Sequence, residues 1–399
     1  MALQDVTVID LTHVVAGPFA TKILKDHGAR VIKVENPKTG GDVTRQLLPK
    51  VKEDGWSAYF ETLNGGKESI ALSLSLKDKN AANDRKMFEA MLEKADVLVE
   101  NFRPGVLAEL GYSWESLHER FPKLIVASIS GFGQNGPYMK RKAVDTIVQG
   151  MSGFMACTGT PDSPVKVGTT VSDLLAGVYC ATGIVTALHA RHRTGTGSRV
   201  DISMFDTSFS FHAREFALYQ LEGIEPERIG NLSGVGIYPF DVFECLNGQA
   251  ISVSCPKDPA YAAFCRLIDA PELIQDPLFK DPASRWKNQK ALQPLLKAKV
   301  AKVDRATLLE GLKNLKGNEA FPFGPVNNFQ DLQTDPQLIH RGMIEPRRKG
   351  SLRVVGNPVK VTSPALDRSA TYSPIDAPTL GQHTESLKQE FGMASRSRL

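Results

Sequence analysis

The chain has 399 residues, 42% hydrophobic and 23% charged, the proportions of a globular protein long enough for a large core and more than one domain. A net charge of +4 over this length does not single out nucleic acid as a partner, although it helps attract an anionic small molecule. The apolar run nearest to a membrane span, Leu174–Ala190, carries Thr182, Thr186 and His189, so no membrane anchor is expected.

The opening "MALQDVTVID" lacks the basic-then-apolar layout of a secretory leader. "VTVIDL" alternates as a strand, "HVVAGP" breaks it at Gly17 and Pro18, and "FATKILKDHGA" has helical spacing closed by Gly28. "RVIKVE", "ADVLVEN" and "LIVASIS" read as further strands, with a helical stretch over Asn83–Lys94. Strands alternating with helices predict a Rossmann-like α/β domain with a parallel sheet, its first βαβ unit right-handed. The G-x-G-x-x-G fingerprint is missing after the first strand, which argues against a dinucleotide cofactor and a dehydrogenase.

After the long apolar helix, "RTGTGSRVDISM" is a glycine turn feeding a strand, and a helix is expected through about Leu221. "GNLSGVG" at 230–236 then opens a stretch with two strands around the turn "LNGQ". Residues 225–330 are expected to form a small α+β domain, and 1–220 with 331–399 the large one. "DLQTDPQLIHRGM" reads as one helix, and a short helix is expected in "QHTESLKQEFG". Five cysteines with no C-x-x-C pair fit buried thiols in a reduced compartment. His189 and His192 have metal-compatible spacing, but the neighbouring Arg191 and Arg193 repel a cation, so no metal site is expected. The tail ends in "SRL", similar to the peroxisomal import tripeptide. The expected location is the cytoplasm, or the peroxisomal matrix in a eukaryote.

Four features carry chemistry. Asp173 in "VSDLLAG" is the only acidic or basic side chain from Val171 until His189. It reads as a helix cap, or as a nucleophile made reactive by poor solvation, and the two roles are compatible. His13 follows the first strand, where α/β sheets place their ligands. The loop "ISGFGQNGP" has the same placement, and its Gly131, Gly133 and Gly136 let backbone N–H groups approach a ligand. Lys33, Lys38, Lys67, Arg103 and Lys142 recur near strand ends; most exposed cations merely solvate a surface, but several around one crevice would suit a polyphosphate.

Taken together, the motifs resemble those of the class III (CaiB/BaiF-type) CoA-transferases, which include formyl-CoA:oxalate and carnitine CoA-transferases. The carrying stretches are "LTHVVAGPFAT" (11–21), "GARVIKVENP" (28–37), "VLVENFRPGVLAELG" (97–111), "ASISGFGQNGP" (127–137), "VSDLLAG" (171–177), "RTGTGSRVDISMFD" (193–206), "FGPVNN" (323–328) and "PTLGQHT" (378–384), in the family's order. The resemblance implies an interlocked-ring homodimer with the active site between domains and subunits. It implies that Asp173 attacks the acyl-CoA thioester, giving a mixed anhydride and then an aspartyl-CoA thioester that passes CoA to a second carboxylate. It places CoA at Lys33, Lys67, Asn101, Arg103, Gly131, Gly133 and Lys142. The acyl or oxyanion pocket is placed at His13, Val15, Ala16, Val144, Asp145, Gly234 and Gly236. The CoA thioester is substrate, and no tightly bound cofactor is implied. Against the formyl-CoA enzyme, Val15 replaces a Gln, Val144 a Tyr, Glu109 a basic residue, and "SGVG" a run of four glycines. An acceptor larger or less doubly charged than oxalate is therefore expected. The related α-methylacyl-CoA racemases carry "GHD" where this chain has "AVD" (143–145), and Val144 cannot carry their proton.

Overall fold

The computed structural model describes residues 1–50, 56–234, 236–347, 352–362 and 375–392; the terminal "SRL" and Val235 lie outside the described residues. The β-branched runs of the N-terminal half become parallel strands. In chain order come β1 (Thr7–Asp10), α1 (Ala16–Asp26), β2 (Arg30–Glu35), α2 (Ala58–Asn64), β3 (Glu68–Ala71) and α3 (Ala82–Lys94). β4 (Val97–Glu100), α4 (Val106–Glu109), α5 (Trp114–Arg120), β5 (Ile125–Ser130) and α6 (Asp145–Ser152) follow. Beyond α7 (Phe154–Cys157) and a small hairpin, β6 (Gly159–Thr160) with β7 (Ser163–Pro164), the chain enters α8 (Val171–Thr194). β8 (Arg199–Ser203), α9 (Met204–Ser210) and α10 (Ala213–Glu222) complete this stretch. Where one helix is expected through Leu221, the chain breaks near Phe211 and His212, giving α9 and α10.

The sheet order is β3-β2-β1-β4-β5-β8, with every neighbouring pair parallel. Both faces are covered, which is why the strands read as near-continuous apolar runs. Val8, Val31, Val97, Ile125 and Ala127 face α1 and α8, whereas Ile9, Ile32, Leu98 and Val126 face Met87, Phe88 and Met91 of α3. The strand order reverses between β1 and β4. Ligands in such sheets bind in the crevice beyond the carboxyl ends at that reversal.

By length and apolar composition α8 could cross a membrane. Its buried stripe, Ser172, Ala176, Gly177, Cys180, Ala181, Ile184 and Ala187, is mostly small and packs against α1 and the sheet. Small residues at three- and four-residue spacing bring two helices close.

The chain divides into two compact units: 1–155, 166–225 and 336–399 in one, and 156–165 with 226–335 in the other. The smaller unit thus takes in the β6–β7 hairpin, far from its other residues in sequence. The Arg228 guanidinium donates to the Thr160 and Pro161 carbonyls at 3.0 Å each, and the Gly230 N–H to the Gly159 carbonyl at 2.9 Å. The expected strands around "LNGQ" are β9 (Phe240–Glu244) and β10 (Ala250–Ser254), antiparallel. Around them lie α11 (Asp258–Leu267), α12 (Glu272–Gln275), α13 (Pro282–Lys287), α14 (Gln289–Val300) and α15 (Arg305–Asn314). β11 (Phe323–Pro325) completes a three-stranded sheet over a core of Phe243, Ile251, Phe264, Leu296 and Phe321.

The single helix expected over "DLQTDPQLIHRGM" is two, α16 (Phe329–Leu332) and α17 (Pro336–His340), because the residue before Pro336 is disfavoured in helical conformation. After the hairpin β12 (Ile344–Pro346) with β13 (Arg353–Val355), α18 (Thr384–Glu390) ends the described chain. "PTLGQHT" borders the edge strand β3: the Ser69 N–H donates to His383 Nδ1 at 3.0 Å and the Ala71 N–H to Thr384 Oγ1 at 3.1 Å. An edge strand is thereby covered. All five cysteines are free thiols, four of them buried.

Candidate active site

Asp173 lies in the first turn of α8 but does not cap it. The cap position is Thr170, whose side chain makes no capping bond. Capping comes instead from α6: Asp145 Oδ1 accepts the Ser172 N–H at 3.0 Å. Asp145 Oδ2 accepts from Gln149 Nε2 at 2.8 Å, and Gln149 Oε1 accepts the Val167 N–H at 2.8 Å. The Ser208 hydroxyl donates to Ser172 Oγ at 2.9 Å. These bonds fix the backbone beside Asp173 and leave its carboxylate with no hydrogen-bond partner among the described residues. Burial, reinforced by the neighbouring Asp145, pushes its pKa up to about 7. A carboxylate held this way is poorly solvated and more nucleophilic.

One turn further along α8, Gly177 touches the start of α1; a Cβ there would stand 2.8 Å from the Ala16 carbonyl oxygen. The first turn of α1 therefore lies beside the helix end that carries Asp173. Its cap residue, Val15, offers no side-chain bond. The Ala16 and Gly17 N–H groups have no acceptor among the described residues, and unfilled N–H groups at a helix start suit a developing negative oxygen. Val15 turns its own side chain into the core.

The loop leading into α1 spans the reversal point of the sheet. The His13 N–H donates to Asn101 Oδ1 and its carbonyl accepts from Asn101 Nδ2, both at 2.8 Å, which ties the end of β1 to the end of β4. Burial, followed by the charge of Lys33, holds the His13 imidazole below its ordinary pKa. Val14 is left-handed, with φ 68°.

The residues expected at CoA separate into two groups. Lys33 and Lys67 are fully buried and saturated within the chain. Lys33 donates to the Thr12 carbonyl at 2.6 Å and pairs with Asp42 at 3.1 Å. Lys67 donates to Asp10, Thr21, Asn64 and the Pro18 carbonyl at 2.8–3.1 Å. In this geometry they brace the loop rather than meet a phosphate. Asn101 is occupied by His13. Arg103 and Lys142 are exposed on the same unit. The Gly133 N–H donates to Ser130 Oγ at 2.9 Å, and Gly131 lies against Ala143. Lys38 is paired with Asp78. Val144, 63% exposed, precedes α6. Gly234 and Gly236 belong to the other unit, both exposed. The structure therefore gathers His13, Val15, Ala16, Asn101, Asp145 and Asp173 around the carboxyl ends of β1 and β4 and the start of α8. Among the described residues no cluster of His, Cys, Asp or Glu could hold a metal.

Two residues escape sequence reading. Tyr59 on α2 has its phenol pKa raised by burial and then by the charges of Asp173, Asp42 and Asp145. Asp42, fully buried, accepts from Lys33 and from the Val14 N–H. The only trace of Asp42 in the sequence is its position after the glycine pair Gly40–Gly41.

Residues 3–384 match the model of CoA-transferase family III. The chain is 42% identical over 386 residues to acetyl-CoA:oxalate CoA-transferase of Acetobacter aceti, covering 96% of this chain and 94% of that one. It is 35% identical over 406 residues to succinyl-CoA:mesaconate CoA-transferase of Haloarcula hispanica, covering 99% and 97%. The crystal structure of a CaiB/BaiF family protein from Brucella suis superposes with a TM-score of 0.88 at 32% identity, covering 98% of this chain and 100% of that one. A match along nearly the whole chain, on the fold and motifs described, makes this protein a member of CoA-transferase family III.

Proposed function

We propose that the enzyme moves CoA from an acyl-CoA donor to a short dicarboxylic acid through covalent intermediates on Asp173. The observation that carries this reading is the Asp173 carboxylate itself, unbonded among the described residues and beside the uncapped start of α1. An Asp173 oxygen attacks the thioester carbonyl carbon; a C–O bond forms, the C–S bond breaks and CoA leaves as thiolate. The thiolate attacks the aspartyl carbonyl of this mixed anhydride and releases the donor acid as carboxylate. The acceptor carboxylate then attacks the aspartyl thioester, expelling thiolate again, and thiolate attack on the acceptor side of the new anhydride frees Asp173. Each carbonyl oxygen gains negative charge as it is attacked, which the Ala16 and Gly17 N–H groups are suited to receive. No ATP is needed, because anhydride and thioester are comparably reactive.

Of the cations expected at CoA, the exposed Arg103 and Lys142 remain available for its phosphates. For the acceptor, the names of two relatives point to dicarboxylates, oxalate and mesaconate. Of the two valine departures from the formyl-CoA enzyme, the exposed Val144 favours an acid with more hydrocarbon than oxalate, whereas the buried Val15 side chain gives no such argument. A homodimer is supported by α10, which buries none of its residues yet carries Phe216, Leu218, Tyr219 and Leu221. Racemase chemistry is disfavoured because Val144 carries no proton.

Incubation with a panel of acyl-CoA donors, hydroxylamine trapping and peptide mass spectrometry should find the adduct on the Asp173 peptide. Asp173→Ala should abolish both adduct and transfer; full transfer by that variant sinks the proposal. Exchange of the α-proton in deuterated water would establish the racemase instead.

A further inference from the structure

Three consecutive residues before α1, Thr12 to Val14, have backbone groups tied to three different side chains, those of Lys33, Asn101 and Asp42. The Thr12 carbonyl accepts from Lys33 Nζ at 2.6 Å. The next residue, His13, is held on both sides of its backbone by Asn101. The Val14 N–H donates to both oxygens of Asp42 at 3.3 Å. Asp42 is itself fixed by the Thr44 N–H at 3.0 Å, the Thr44 hydroxyl at 2.8 Å and Lys33 at 3.1 Å.

Lys33 and Asp42 are both 0% exposed at the side chain. Burying an ion pair is costly, and such a pair is weak evidence for stability. Its effect here is to specify one backbone conformation. That conformation needs specifying, because Val14 has φ 68°. The left-handed region is strained for a β-branched residue and persists only where the surroundings over-determine it. Val14 does not join the core in exchange, the residue being 41% exposed.

We propose that Lys33 and Asp42 are positioning residues: with Asn101 they hold Val14 in its left-handed conformation, and so fix the uncapped first turn of α1 beside Asp173. The inference rests on the transfer reading above for its consequence, though not for its geometry. The buried pair acts on the rate of the covalent step, because misplacement of N–H donors by an ångström is felt there more than in binding. Charge supports the same picture: burial opposes ionisation of both groups, yet Asp10, Asp42 and Glu35 hold Lys33 above its ordinary pKa, and Lys33 with the Thr44 N–H holds Asp42 below.

The test is the rate of adduct formation at Asp173 in Asp42→Asn, which keeps an acceptor oxygen and removes the charge. The expected result is a fall on the order of ten- to a hundredfold, with the KM for the acyl-CoA unchanged. Adding Val14→Gly should restore part of that rate, because glycine adopts positive φ without a clamp. A general loss of folding would not produce that pattern. A wild-type rate in Asp42→Asn, or a double variant no faster than the single, overturns the proposal. Should Asp42→Asn fail to fold, Lys33→Gln, which retains a donor for Thr12, is read by the same criteria. A wild-type protein that forms no adduct with any donor refutes the transfer reading instead. The clamp is then judged by hydrogen exchange at the Val14 amide, which must quicken in the variant.

Discussion

Gly177 lies so close to the Ala16 carbonyl oxygen that a Cβ on it would stand 2.8 Å away, and 2.9 Å from Phe19 Cδ1. The oxygen is backbone and cannot swing aside, so Gly177→Ala must move α8 against α1. These are the two helix starts whose spacing sets Asp173 against the free N–H groups. The variant should lose about 1–3 kcal/mol of stability in denaturant titration, and its kcat should fall at least tenfold. A stable variant with normal kcat would show that the spacing is not critical.

Asp173 itself should be a liability to the fold. Its pKa rises from 3.8 to about 7 on folding. Between those values the folded state holds a proton that the unfolded chain has released, so stability falls as pH rises, and the deficit levels off above about 7. Asp173→Asn, which carries no charge, should therefore be more stable than the parent at about pH 8, by a few kcal/mol at most. The gain should vanish near pH 4 while transfer is lost at every pH. Thermal melts at the two pH values give the comparison, and equal differences at both would contradict a poorly solvated carboxylate.

Asp145 should contribute to the pH at which the enzyme switches on. The reactive form of Asp173 is its carboxylate, so kcat/KM should climb with pH through about 7. Burial is the larger cause of that raised value and the charge of Asp145 the second. Tyr59 on α2 is the other titratable group in this field, and Asp206 of the adjacent α9 is exposed. Replacing Asp145 with Asn removes the repulsion and should move the acid limb down by on the order of one pH unit. A limb that stays in place would exclude Asp145 as its cause.

The parallel sheet was legible because β-branched runs alternate with helical spacing, and Asp173 because it stands alone in an apolar stretch. Lys33 and Lys67 show where that legibility ends. Both lie beside strand ends in sequence, as phosphate ligands do, but strands of a parallel sheet are buried on both faces. Whether a cation there points inward depends on a partner distant in the chain: Asp10 lies 57 residues from Lys67. Asp145 capping Ser172 across 27 residues was hidden for the same reason. The break of the helix expected over 331–343 was local, by contrast, and Pro336 announces it.

The apolar surface of α10 makes an assembly prediction. Leu221 is 83% exposed, and Phe216, Leu218 and Tyr219 lie with it on a helix that buries nothing. Val178, Tyr179 and Val185 leave α8 apolar on its outer side as well. A twofold interface counts each residue twice, and each large apolar side chain removed from water contributes about 1.5–3 kcal/mol. The wild-type chain should therefore sediment as a dimer at micromolar concentration. Phe216→Asp combined with Leu221→Asp should sediment as a monomer while keeping its circular dichroism spectrum. If the active site needs the second copy, as the resemblance implies, that monomer should also lose transfer. Mixing it with an Asp173→Ala chain would not restore activity, because the same apolar faces are needed on both partners. A wild-type protein that sediments as a monomer removes the interface, and a monomeric variant that still transfers CoA confines the site to one chain.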